Sequence, residues 1–289
     1  MAKRLIKNGS FTGERALFAT RDAVIEGSRF FDGESPLKES SSLEVKECTF
    51  EWKYPLWYCK DVTVRDTYFA PTARSGIWYT DNIEMSDCVI DAPKTFRRGR
   101  GISLHRVSIL NAQETLWSCE DVLLDGVSAR GDYLGMNSKN VTVNRLRLSG
   151  NYAFDGGENI TVTDSVLYSK DAFWNCKNVT VINCTVVGEY LGWNSSNVRF
   201  VNCDIESDQG LCYMDGVVLE NCRFSNTGLA FEYSTVDADV RSHIDSVKNP
   251  TAGVIVADSI GEIIHDPACV DTSKTEIKVR KNECMTSTD

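Results

Sequence analysis

Apolar residues along this chain fall into a nine-residue pattern that returns about every nineteen residues. Three copies lie nearly end to end at residues 178–186 (NVTVINCTV), 197–205 (NVRFVNCDI) and 216–224 (GVVLENCRF). Earlier copies start at Asn159, Asn140, Asp121, Gly101, Asn82, Asp61, Ser42 and Asp22, with a degenerate first copy at Lys3. A period this short and regular predicts a solenoid whose repeats are successive coils.

Positions 2 and 4 of the phrase are apolar, as in Val62 and Val64 or Val141 and Val143, with a polar or long residue such as Thr63 or Thr142 between them. Such period-two alternation in β-branched residues predicts a strand with one buried face. Position 6 is often Asn or Asp (Asp66, Asp164, Asn183, Asn202), residues suited to bends. Position 9 is apolar again (Phe30, Phe50, Phe69, Ile205), which predicts a second short strand. Five residues before each phrase is a position without charge, with a neighbour of complementary size: Leu134-Gly135 and Leu191-Gly192, but Ala153-Phe154 and Ala172-Phe173. The two share one packing volume in a densely filled interior, and this segment predicts a third strand. The expected fold is all-β: a right-handed parallel β-helix of about 12 coils, 19–21 residues each, with three short strands per coil. A leucine-rich repeat is disfavoured because its LxxLxLxxN spacing is absent.

The β-helix is expected over residues 1–238. Beyond Val236 the phrase fades, and Val240, Ile244 and Val247 stand at spacings of four and three before Asn249-Pro250. That pattern predicts a C-terminal capping helix, with residues 239–289 forming a cap of the same domain. Residues 253–264 read as further strand, and the last twenty or so as loosely held.

Composition narrows the function classes. The net charge of −10 argues against nucleic acid, whose phosphates require Lys and Arg. The start, MAKRLIKNGS, lacks the apolar core of a signal peptide, and no apolar run is of membrane length, so a cytoplasmic location away from membranes is expected. Eleven cysteines suggest redox or metal chemistry until they are placed on the repeat. Cys48, Cys88, Cys184, Cys203 and Cys222 share position 7, while Cys59, Cys119 and Cys176 share the position two before the phrase. They read as small core fillers, so neither metal nor cofactor is expected. Sequons at Asn8, Asn140, Asn159, Asn178, Asn183 and Asn194 arise mostly from the repeat itself.

One further column carries candidate chemistry. Four residues before successive phrases stand Phe18, Lys38, Trp57, Trp78, Arg97, Trp117, Met136, Asp155, Trp174, Trp193, Cys212 and Phe231. Five of the six tryptophans fall here, and the charged members place the column outside the core. Tyr58, Tyr79, Asn175 and Asn194 follow at the next position, and Tyr54, Tyr133, Tyr152 and Tyr190 recur seven residues before the phrase. A row of rings beside hydrogen-bonding groups suits an oligo- or polysaccharide, with Trp57, Trp78, Trp117, Trp174, Trp193, Tyr58, Tyr79, Asn175 and Asn194 as ligand-binding candidates. Burial of the aromatic face in a homo-oligomer is the competing expectation. A third is catalysis by a glycoside hydrolase or polysaccharide lyase, with Asp155 the acid within the ladder and Arg97 in the basic FRRGRG stretch. Glu114, Asp132 and Asp171 lie near the same face.

The phrases LWYCKDVTV, TLWSCEDVLL, FWNCKNVTV and GWNSSNVRF, with IDSVKNPTAGVIVADSIGEII, resemble an uncharacterised bacterial family of pectin-lyase-like single-stranded right-handed β-helix proteins over residues 1–265. The resemblance implies the fold and transfers no catalytic residue. The broader superfamily includes polysaccharide lyases and hydrolases whose groove runs along the outward face of one sheet, which is where a site is expected.

Overall fold

The repeated phrase closes each coil around a dry interior. In the computed structural model, which describes residues 3–280, its first five residues and the one before them form strands such as Lys60–Arg65 and Lys177–Ile182. Successive strands pair in parallel so that like positions meet: Val62 faces Ile83, and Val64 faces Met85. Positions 2, 4, 7 and 9 are buried and the residues between them reach solvent. The second strand is only two or three residues long, as in Thr49–Phe50 and Thr185–Val187, and also stacks in parallel. Position 9 thus becomes a column of rings: Phe11, Phe30, Phe50 and Phe69 stack with centroids 5.0, 4.7 and 4.9 Å apart.

The third side is tighter than a strand. Isolated parallel bridges form there among Trp78, Arg97 and Trp117, and between Ala230 and Val247. Elsewhere it is a run of turns with alternate residues left-handed, as at Tyr54, Leu56 and Tyr58 with φ of 63°, 58° and 55°. Their amides still bond from coil to coil, Tyr54 to the Arg74 carbonyl and Leu56 to that of Pro36. Leu and Tyr have no liking for φ above zero. Glycine does, which explains Gly135 (φ 76°) and Gly192 (φ 72°) in the same column as Leu56. A side chain at Gly135 would meet the Phe154 ring at 2.6 Å, so the volume is shared between coils as well as between neighbours.

The C-terminal end differs from expectation in two ways. Among the described residues there is no helix, so the predicted capping helix is absent. Val240, Ile244 and Val247 instead belong to a fourteen-residue strand, Thr235–Lys248. That strand pairs with Ala252–Ile264, with a register shift between Val240 and His243. A spacing of four puts Val240 and Ile244 on one face of a strand as readily as on one face of a helix. The coil count also rises from about 12 to about 15, with Thr235–Lys248, Ala252–Ile264 and Thr275–Val279 continuing the first sheet where the phrase has faded. At the usual strand spacing the rod is roughly 65–70 Å long. Residues 253–264 are strand as expected. Of the tail, residues 275–279 are strand, while 281–289 lie outside the described residues.

The cysteines of the repeat are buried and free, their thiols directed at carbonyls, as Cys48 Sγ to Lys46 O at 3.2 Å. Burial raises the Cys59, Cys119 and Cys176 thiols to about 12. Among the described residues no cluster of three His, Cys, Asp or Glu is arranged to hold a metal ion.

Bend residues form amide ladders. Asn140 donates to Asp121 Oδ1 (2.9 Å), Asn159 to Asn140 (3.0 Å), Asn178 to Asn159 (2.9 Å) and Asn197 to Asn178 (2.8 Å). A second ladder runs from Asn221 through Asn202 and Asn183 to Asp164. Every amide donates towards the N-terminal end, so the first member needs only to accept. Both ladders accordingly begin with aspartate. Asn159→Asp places an acceptor against the acceptor of Asn140 and is expected to cost about 1 kcal/mol in denaturant unfolding. Asp164→Asn keeps an acceptor and is expected to stay within about 0.5 kcal/mol of the wild type.

Candidate functional site

The tryptophan column points outward, and Trp57, Trp78, Trp117, Trp174 and Trp193 are all half-buried. Outward does not mean available. Trp57 and Trp78 stack at 5.2 Å, and the Arg97 guanidinium lies 4.4 Å from both the Trp78 and Trp117 ring centroids. Four flat groups therefore occupy one another's faces. The Trp57 and Trp78 indole nitrogens donate to the carbonyls of Ser75 and Lys94. Tyr58 and Tyr79 stack at 4.8 Å, with Lys38 Nζ 5.6 Å from the Tyr58 ring. This half of the ladder presents ring edges to solvent, which suit a sugar face poorly.

The ladder opens three coils beyond Trp117. Trp174 stacks back on Tyr152 (6.1 Å, 21°), whereas Trp193 stacks forward on Tyr213 (4.9 Å, 24°) and stands edge-on to Tyr190 (5.4 Å, 75°). The two indoles turn to different neighbours and a cleft of about 410 Å³ lies between them, lined by Tyr152, Lys170, Asp171, Tyr190 and Gln209 as well. No acceptor among the described residues meets the Nε1 donors of Trp174 and Trp193. A larger groove of about 650 Å³ lies over the N-terminal part of the first sheet, beside Asp61, Asn82 and Glu84, but no ring lines it.

Asp171 is the unusual member of the cleft. It holds the position seven before its phrase, where Tyr152 precedes it and Tyr190 follows in adjacent coils. The row of tyrosines thus contains one carboxylate, only 4% exposed, between its rings. Burial raises the Asp171 carboxyl above its ordinary value. Lys170 opposes this, Glu189 adds to it, the Tyr152 hydroxyl opposes by hydrogen bonding, and Asp155 adds again. Lys170 is drawn outward, 3.1 Å from Glu189 and 5.0 Å from the Tyr190 ring.

A carboxyl whose folded-state pKa is raised stabilises the fold less as pH rises through that pKa, because its charged form is the disfavoured one. Asp171→Asn removes this burden. Its melting temperature is therefore expected to exceed that of the wild type at pH 7 and to match it near pH 3, where the wild-type carboxyl is protonated in both states; thermal unfolding at the two pH values checks this.

The other expected site residues are placed as follows. Asp155 accepts from Asn175 (3.1 Å), and Asn175 from Asn194 (2.8 Å), so Asp155 is the starting acceptor of a third amide ladder. Asn175 and Asn194 lie on the flank of the tryptophans away from the cleft lining. Arg97 pairs with Glu114 (3.2 Å), which also holds Lys94 (3.2 Å), and its Nε is buried without a partner. Arg97 and Asp155 are three coils apart in one column, about 14 Å at the strand spacing, too far to act on one bond. Asp132 is exposed and accepts from the Asn151 amide. The structure therefore brings Trp174 and Trp193 together with Tyr152, Tyr190 and Asp171, and leaves Trp57, Trp78, Trp117, Tyr58 and Tyr79 in a separate closed stack.

The stacked coils define a parallel β-helix protein, with an aromatic cleft on its third side. Residues 4–278 match the family described as "Protein of unknown function (DUF3737)", and the chain belongs to it. No curated protein sequence matches. Among solved structures, the chain is similar to a surface adhesin of Streptococcus pneumoniae, PfbA, at 10% identity and TM-score 0.39, covering 86% of this chain and 71% of that one. It is also similar to the A-module of the Azotobacter vinelandii mannuronan C-5 epimerase AlgE6, at 13% identity and TM-score 0.35, covering 96% and 91%. A third is a tailspike protein of E. coli bacteriophage HK620, at 9% identity and TM-score 0.38, covering 89% and 61%.

Proposed function

We propose that this protein binds a carbohydrate in the cleft between Trp174 and Trp193. The observation that carries the reading is the divergence of these two indoles over the buried Asp171, which leaves ring surface and a polar floor open to one ligand. A pyranose has apolar faces for the rings of Trp174, Tyr190 and Trp193, and hydroxyls for Asp171, Gln209 and the free indole nitrogens. A cleft of this volume is within the range of small-ligand sites and takes one or two sugar units at a time. A longer chain would continue along the column towards Tyr213, which is exposed.

The raised carboxyl of Asp171 also favours a second reading, in which it acts as a general acid on a glycosidic bond. That chemistry needs a second carboxylate across the bond, and the nearby acids are engaged: Asp155 by Asn175 and Glu189 by Lys170. Binding is accordingly the primary proposal. The test is a panel of neutral, acidic and amino oligosaccharides against the wild type, read by tryptophan fluorescence and calorimetry. Saturable binding that changes the fluorescence supports the reading, and no binding across the panel ends it.

A further inference from the structure

We propose that the cleft selects an amino sugar, seating its ammonium group against Asp171 within the ring of Tyr152, Trp174, Tyr190 and Trp193. The inference rests on the carbohydrate reading and names the class of sugar. Three observations converge on it. First, the floor is a carboxylate 4% exposed, and Lys170, the cation beside it, is held by Glu189 at the rim. Second, the walls are aromatic, and ring faces attract cations. Lys170 Nζ already lies 5.0 Å from the Tyr190 ring, which shows a cation held at this wall. Third, the charged groups influencing Asp171 are Lys170, Glu189 and Asp155, so acids outnumber bases around it even before the net charge of −10 is considered.

Burial disfavours the ionised carboxyl of Asp171, and an ammonium group brought beside it removes that penalty by charge-assisted hydrogen bonding. A neutral hydroxyl removes less of it. A uronate adds a third acid to Asp171 and Glu189, with Lys170 already paired, and is disfavoured.

The experiment compares glucosamine, cello- and galacturonate oligosaccharides of equal length, together with the N-acetylated form of the first, by calorimetry at pH 6. The glucosamine oligomer is expected to bind about ten-fold more tightly than the neutral one, and acetylation is expected to remove the advantage. In Asp171→Asn the ratio is expected to fall to about one. This variant changes the net charge by a single unit, so general attraction of a cation to an acidic protein would leave the ratio nearly intact. If the variant does not fold, the wild-type ratio at pH 9, where the sugar amine is neutral, must fall to about one instead. The other titratable groups facing this position are Asp155, Glu189, Lys170, Tyr152 and Tyr190. A wild-type ratio near one, or the same ratio in Asp171→Asn, overturns the inference while leaving carbohydrate binding standing. Failure of all four sugars to bind overturns both.

Discussion

Replacing Phe50 with alanine is expected to lower the unfolding free energy by about 3–5 kcal/mol, measured by guanidinium denaturation. Phe50 is fully buried, with Phe30 stacked on one face at 4.7 Å and Phe69 on the other at 4.9 Å. Its loss removes two ring contacts and leaves a void that the coils above and below cannot close, because their spacing is fixed by the backbone bonds of both sheets. Phe11, at the open end of the same column, is partly exposed and stacks on Phe30 alone. Phe11→Ala is expected to cost roughly 1–2 kcal/mol. Equal losses at the two positions would count against the column as a continuous stack. Since each coil touches only its neighbours, a break at Phe50 is also expected to separate the unfolding of the first coils from the rest, broadening the transition.

The inner columns were legible in the sequence because burial on a stacked sheet imposes the same choice on every coil. Val62, Val141 and Val179 are apolar for one reason, and a reader sees that reason many times over. The ends were less legible. Where Asn and Asp bends drop out after residue 226, the chain runs straight through the corner as Thr235–Lys248, and Val240 and Ile244, four apart, share a strand face as readily as a helix face. The third side was misleading as well, since Leu56 and Phe96 look like strand residues but hold left-handed conformations imposed by tertiary bonds.

The site was half legible. Its tryptophans stood out because a rare residue fell in register. Asp171 did not stand out, because a lone acid on a solvent-facing column is usually a solvated charge. The available signal was the column seven before the phrase, where Asp171 interrupts Tyr133, Tyr152 and Tyr190. Nor does sequence reveal which way a ring turns. Trp78 and Trp174 occupy equivalent positions, yet the first has Trp57 and Arg97 on its two faces while the second borders a cleft. The difference lies in the neighbours. Arg97 is flat and fills the place of a ring, whereas Asp155, in the coil before Trp174, is short and is committed to Asn175.

That difference sets the second large effect. Trp174→Ala is expected to weaken binding of whichever oligosaccharide the panel identifies by at least about 2 kcal/mol, roughly thirty-fold. Trp174 supplies one wall of the cleft, and its removal also takes away one of the two rings stacked on Tyr152, leaving Tyr133. Trp117→Ala, four residues before an earlier phrase and equally half-buried, is expected to change that affinity by less than about two-fold, because Trp117 lies outside the cleft and pairs with Arg97 at 4.4 Å. Its cost is expected in stability instead, since Arg97 loses one of two stacking partners while its Nε remains buried without an acceptor. Calorimetric titration and denaturant unfolding of both variants measure the two effects separately. If Trp117→Ala abolishes binding as completely as Trp174→Ala, the whole column acts as one surface and the cleft loses its distinction.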